Sequence, residues 1–294
     1  MMTLNYIGAK GATLQLVGNK YFDISNIDGM TLFKSNVSSL TVGGVDGDTV
    51  NNVQGQPRQM VIDLTIKQSA NVEQAKRYIL QRIKVKEKGR LEWTQNNRTV
   101  VIAGTVTEIE MPRWTDNVVM QITMYCSVPY WEDEADAVQE ISEITDLHYF
   151  TDNPYDMLYF PEEGIAFGAY NLLRNQTITN DGDVSVGMTI TIYAVALVTN
   201  PIIYNADGDF FGIGYNTTQN NKNFALEPGD YITITTHRGN KSVTLNGTTS
   251  LMNKIKPKSA WLQLEPGENT FSVDSDDDNL QNMYFSLVFK RWYV

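Results

Sequence analysis

Two histidines, one cysteine and a few acidic clusters are the residues with chemistry to offer, and their spacing favours no reaction. His237 lies in Thr235-Thr-His-Arg-Gly-Asn240, which reads as a hairpin tip. No nucleophile elbow or zincin helix surrounds it, so a solvated turn histidine is preferred to a catalytic base. His148 sits in an aromatic stretch and reads as a packing or hydrogen-bonding group. Cys126 ends the run Val118-Val-Met-Gln-Ile-Thr-Met-Tyr-Cys126 and shares a strand face with Val118, Met120, Ile122 and Met124. On that face a small buried hydrophobe is expected rather than a nucleophile, and a lone cysteine forms no intrachain disulfide. Asp274-Ser-Asp-Asp-Asp-Asn279 has the oxygen density of a calcium loop. An EF-hand needs Gly at the sixth position and Glu at the twelfth, and this chain has Asn279 and Phe285 there. It reads as a solvated acidic loop, with weak calcium binding as the lesser alternative. Asn205, Asp207 and Asp209 form a second oxygen-rich loop, but Asp207-Gly208 is first a hairpin signal. Phe211-Gly-Ile-Gly214 lacks the third glycine of a dinucleotide fingerprint and the β-α-β unit around it. Glycoside cleavage needs two carboxylates paired in space, and no local arrangement among the 34 acids selects such a pair. Trp261, between Ala260 and Leu262 on an expected strand, faces opposite to Leu262 and Leu264. It reads as a sugar-stacking platform or as packing in a core or interface, the second being preferred. No catalytic, cofactor-binding or metal-ligating residue is expected.

Composition narrows the classes further. The formal net charge of −11 repels phosphate, which disfavours nucleic acid as a partner. The one basic cluster is Lys84, Lys86, Lys88 and Arg90, at the end of an expected helix, where cations complement the dipole. Hydrophobic residues make up 42% of the 294, enough for packed cores. No basic start followed by an apolar core suggests a signal peptide, and no apolar run is long enough for a membrane span, so assembly in a cytoplasm is expected.

Elements that would position these residues are mostly strands. Met60, Ile62, Leu64 and Ile66 alternate with Val61, Asp63 and Thr65, Val243 and Leu245 with Ser242 and Thr244, and Phe285, Leu287 and Phe289 with Tyr284, Ser286 and Val288. Turn signals recur between the runs: Asp46-Gly47, Asp181-Gly182, Asp207-Gly208, Arg238-Gly-Asn240 and Asn246-Gly247. Short strands with frequent turns predict a mainly β chain built as sandwiches or barrels. One amphipathic helix is predicted over 71 to 87, with Val72, Ala75, Ile79 and Ile83 on its inner face, Asn71 and Gln74 at its start and Gly89 at its end. The acidic stretch Glu132 to Glu143 offers little to bury and reads as a linker, with a short helix as the alternative. The expected division is a first domain over 1–131, a linker over 132–150 and a second β-rich domain over 151–294. In the second, Leu226-Glu-Pro-Gly-Asp230 and Leu264-Glu-Pro-Gly-Glu268 each precede a strand, a turn device that suggests a jelly-roll or similar sandwich.

Taken in order, several stretches resemble the distal tail protein family of siphophages. They are Ile27-Asp-Gly29, the Gly-rich segment from Thr41 to Pro57, the strand from Arg58-Gln-Met-Val-Ile62, the helix, Leu91-Glu-Trp93 and Arg98-Thr-Val-Val-Ile-Ala-Gly104. Cys126-Ser-Val-Pro-Tyr-Trp131 followed by acids resembles the family's domain junction. In the C-terminal half the matching stretches are Asn180-Asp-Gly-Asp183, Lys241-Ser-Val-Thr-Leu-Asn-Gly247 and Trp261-Leu-Gln-Leu-Glu-Pro-Gly-Glu-Asn269.

The resemblance implies an N-terminal sandwich or split-barrel-like domain, with one helix, that forms a homohexameric ring continuing the tail tube. It implies a galectin-like C-terminal domain. Such a ring joins the tail tube protein to a tail-associated fibre or lysin and docks receptor-binding proteins at the tail tip of the virion. The family's long loop clasps a neighbouring subunit. Here the candidate is Val42 to Gln56, with Asp46, Asp48 and Asn52 between them, a free surface loop being the alternative. Val119, Gln121, Thr123 and Tyr125 offer a further interface face. A carbohydrate-binding adhesin that grips host cell-wall glycans through the C-terminal sandwich is the alternative function, and an enzyme is disfavoured.

Overall fold

The computed structural model describes residues 2–31, 34–41, 43–44, 46–113, 117–140, 142–146, 168–172, 175–214, 224–276 and 283–294. His148 and Asp277 to Asn279 fall outside them. Two compact units result, Met1–Glu134 with Trp292–Val294, and Ala135–Arg291.

In the first unit the strands are β1 (Thr3–Gly8), β2 (Thr13–Gln15), β3 (Phe22–Asp28), β4 (Ser35–Thr41), β5 (Asp48–Gly55), β6 (Arg58–Ile66), β7 (Lys88–Gln95), β8 (Arg98–Arg113), β9 (Val119–Cys126) and β10 (Trp131–Asp133). An antiparallel sheet runs in the order β2-β1-β7-β8-β9-β6-β3. Register follows the hydrophobic alternation: Met60, Ile62 and Leu64 pair with Met124, Ile122 and Met120, so both sets point to one face. That face is the core, with Leu4, Phe22, Leu91 and Val106 also buried. Gly8, Gly89 and Gly104 are successive partners across β1, β7 and β8. The Tyr6 ring lies over Gly89, and Met124 and Cys126 lie over Gly104, where a Cβ would collide with them. The glycine row is therefore space for large side chains.

The helix α1 is shorter than expected, Val72–Leu80. Asn71 caps it by accepting from the Gln74 N–H at 3.2 Å, and Ala75 and Ile79 face the core. Ile83 stays on the buried face, which is why the apolar period runs on. The backbone leaves the helix because Lys86 N–H donates to the Val106 carbonyl and Val106 N–H to that of Glu87. Lys84, Lys86 and Lys88 thus lie beyond the helix and do not complement its dipole.

Within the segment Val42 to Gln56, expected as a loop, Asp48–Gly55 form one strand of a hairpin. Its Gly-rich turn, with Gly44 and Gly47 at positive φ, joins β4 and β5, which pair with each other. Valines and threonines on both sides of the turn favour strand over coil.

In the second unit the strands are β11 (Ala137–Glu140), β12 (Ser142–Asp146), β13 (Gly168–Leu172), β14 (Asn175–Asn180), β15 (Met188–Ala194), β16 (Val198–Thr199), β17 (Ile202–Asn205), β18 (Phe210–Gly212), β19 (Ala225–Leu226), β20 (Tyr231–His237), β21 (Asn240–Leu245), β22 (Thr249–Ser250), β23 (Gly267–Asp274) and β24 (Met283–Phe289). A six-stranded sheet, β11-β24-β15-β20-β21-β22, and a four-stranded sheet, β14-β23-β17-β18, supply alternating buried residues such as Ile190, Ile232, Phe285 and Phe271. The mainly β fold with sandwich architecture is what alternation and turn chemistry predict. Gly229 and Gly267 in the two repeated turns have φ of +91° and +96°, as the second central position of a type II turn requires. Asn246 and Gly247 are both left-handed, giving the turn between β21 and β22.

The acidic stretch from 132 is not a free linker. β10 pairs with β8, β11 with β24, and β12 with β13. Pairing uses backbone groups, so the edge strand β11 forms although Val138 on it stays exposed. The chain's last strand, β25 (Trp292–Tyr293), pairs with β10 in the first unit.

Candidate functional site

The β4–β5 arm is exposed along its whole described length. Val37, Leu40, Val50 and Val53 are 51–57% exposed, although large apolar groups normally find cover. Val37 and Val53 are direct cross-strand partners, and Ser39 pairs with Val50 after a bulge, so the three valines share one face. Ser39 and Thr41 hydroxyls donate to the two carboxylate oxygens of Asp48, at 3.0 and 2.8 Å, and lock the turn end.

Among the residues expected to form the clasp, Asp46 lies in the turn, Asp48 opens β5, Asn52 pairs with Ser38, and Gln56 N–H donates to Lys34 O at 2.7 Å, closing the base. Val42 lies outside the described residues. Sequence reasoning missed the valines. Their signal was the Val37 and Val53 alternation flanking Asp46-Gly47, hidden by the glycines and asparagines around it.

The arm's base is built into the core. Arg58, 3% exposed, donates from Nη1 to the Met30 carbonyl at 3.0 Å, and Trp131 Nε1 donates to the same oxygen at 3.1 Å. Gly29, at φ +84°, packs its Cα against the Gln59 carbonyl so closely that no side chain fits. Burial lowers the Arg58 pKa, partly countered by the Cys126 thiol; burial pushes that thiol up to about 12. Cys126 is fully buried, an inert hydrophobe in this setting. On the opposite face of β9, Tyr125 is 46% exposed, but Thr123 is buried and Gln121 donates to Asp63 at 2.8 Å, so that face is only partly free.

In the second unit Trp261 is half-buried in an extended segment outside the paired strands. Its ring tilts against Phe211 at 5.0 Å, and Lys241 Nζ lies 5.5 Å from its centre. Trp261 lines a polar cleft of about 430 Å³ with Asn205, Asp207, Asp209, Glu265 and Glu268. His237 is half-buried rather than solvated. Its Nε2 is 3.2 Å from Thr189 Oγ1, and burial lowers its pKa against the pull of Asp136. Among the described residues no group of three or more His, Cys, Asp or Glu is placed to hold a metal ion, and no helix is long and apolar enough to cross a membrane.

Residues 181–289 match the family model described as the siphovirus-type tail component, C-terminal domain. Among solved structures, the Dit protein of phage SPP1, described as a paradigm of the hub adsorption apparatus in Gram-positive-infecting phages, matches over 100% of both chains with a TM-score of 0.67 and 14% identity. Two structures of the phage P2 baseplate in its activated conformation, with Ca and with Sr, match at TM-scores of 0.45 and 0.44 and 12% identity, over 99% of this chain and 98% of theirs. No curated protein matches. The SPP1 likeness shows a shared fold along the whole chain, and the family match adds descent for the C-terminal part. The resemblance read from the sequence is thereby supported in two parts: residues 181–289 match the siphovirus-type tail component C-terminal domain, and the whole chain shares the fold of the SPP1 Dit protein.

Proposed function

We propose that the first unit forms a homohexameric ring at the end of the tail tube, and that the β4–β5 arm clasps the neighbouring subunit. The observation that carries this reading is the arm itself. An isolated two-stranded ribbon is marginally stable in water, and this one keeps an uncovered apolar face. A second subunit supplies the missing cover. The ring then joins the tail tube protein to a tail-associated fibre or lysin, docks receptor-binding proteins, and works in the virion after assembly in the host cytoplasm. It has no catalytic part. Shortening 42–56 tests the clasp: the variant keeps its thermal stability and loses rings in negative-stain images. Unchanged ring yield sinks it. Hydrolysis of host walls by the purified protein, abolished by one carboxylate substitution, defeats the non-enzymatic reading.

The cleft beside Trp261 favours a second reading, an adhesin for cell-wall glycans. Its hydrogen-bonding acceptors and half-buried indole are the mixture that sugar sites use. A glycan array with the wild-type chain and with Trp261→Ala decides it.

A further inference from the structure

A second apolar surface in the first unit is also open. A groove of about 360 Å³ runs beside the end of α1, with Leu80 and Val85 on one wall and Ile109 and Met111 of β8 on the other. Leu80 and Val85 are 38% and 45% exposed. Lys76 and Lys84 stand at its rim. Lys84 opens the basic run that continues through Lys86, Lys88 and Arg90, which the shortened helix leaves without its expected dipole role.

We propose that this groove receives the β4–β5 arm of a second copy of the chain. The inference rests on the clasp reading and adds the receptor. Each surface offers what the other lacks. Val37, Val50 and Val53 form an apolar face that is uncovered among the described residues, and the groove is apolar and open. Asp46 and Asp48 flank the arm's turn, and lysines flank the groove, so the approach is electrostatically matched within a chain of net charge −11. A seven-residue strand spans about 23 Å, so the arm is long enough to cross to a neighbour. Arm and groove are different patches, and a contact between different patches repeats around a ring until it closes.

The test uses new cysteines in the full chain, where Cys126 is buried and does not interfere. Val50→Cys chains are mixed with Val85→Cys chains at high concentration and oxidised, and a Lys10→Cys chain replaces the second partner as control. A disulfide-linked dimer is expected in the first mixture at least tenfold above the control. With both cysteines on one chain, a ladder of linked species is expected. Rings by microscopy with no cross-link above the control overturn the groove as receptor and leave the clasp reading standing. A wild-type chain that stays monomeric at every concentration defeats both. Linkage within one doubly substituted chain, with none in the mixture, means the arm folds onto its own groove and also overturns the proposal.

Discussion

Cys126 and Gly29 carry the clearest residue-scale consequences. Burial holds the Cys126 thiol neutral and raises its pKa to about 12, with the Arg58 guanidinium opposing. In the unfolded chain the thiol ionises near pH ~8.5. Its contribution to stability is therefore complete below that pH and is lost as the pH rises from there through about 12. The native chain is expected to leave a thiol reagent unconsumed at pH 8 and to consume one equivalent once denatured; rapid reaction of the native chain contradicts the burial. Gly29→Ala forces a Cβ onto the Gln59 carbonyl at a positive φ. It is expected to cost about 2 kcal/mol or more, read as a fall in the denaturation midpoint, because both strain and overlap oppose it. The identity of Cys126 as a hydrophobe was legible from its strand face. The need for Gly29 was not, because the carbonyl it meets comes from a strand thirty residues on, a long-range fact that no local pattern carries.

At the scale of elements, alternation was the legible signal and boundaries were not. β6 and β9 pair as their buried faces require, Met60 with Met124 and Leu64 with Met120. The end of α1 was misread because Ile83 keeps the helical period while the backbone around Lys86 has already turned to pair with Val106. The arm was misread in the opposite sense: glycines and asparagines mask strands that bury nothing. Within the candidate site, Asp46 and Asp48 were legible as turn acids, whereas the apolar face of Val37, Val50 and Val53 appears only once the register and its bulge are known. The start of α1 was read correctly, and Asn71→Ala is expected to cost about 1 kcal/mol by removing the acceptor for the Gln74 N–H. Asn71→Asp restores the acceptor and is expected to recover the melting temperature; equal losses for both variants contradict the cap.

For the whole molecule, the chain's path makes the first unit depend on residues far away in sequence. β25 returns to β10, where Trp292 stacks on Tyr130 at 5.3 Å and the Tyr293 hydroxyl donates to Asp133 at 3.0 Å. The Arg98 guanidinium covers the Tyr293 ring at 3.6 Å. Neighbouring Trp131 holds the Met30 carbonyl at the base of the β4–β5 arm, so loss of β25 is expected to loosen the segment that launches the arm. Deleting 292–294 removes two partly buried aromatic residues and is expected to cost the first unit about 2–4 kcal/mol. Calorimetry of the intact chain is expected to show two transitions, and the deletion to lower one of them and leave the other in place. If the first unit forms the ring, assembly falls with that transition: six chains of 33.2 kDa, about 199 kDa in all, are expected by light scattering for the intact chain and smaller species for the truncated one. A truncated chain that melts unchanged contradicts the role of β25, and one that melts lower yet forms full rings separates the return strand from assembly.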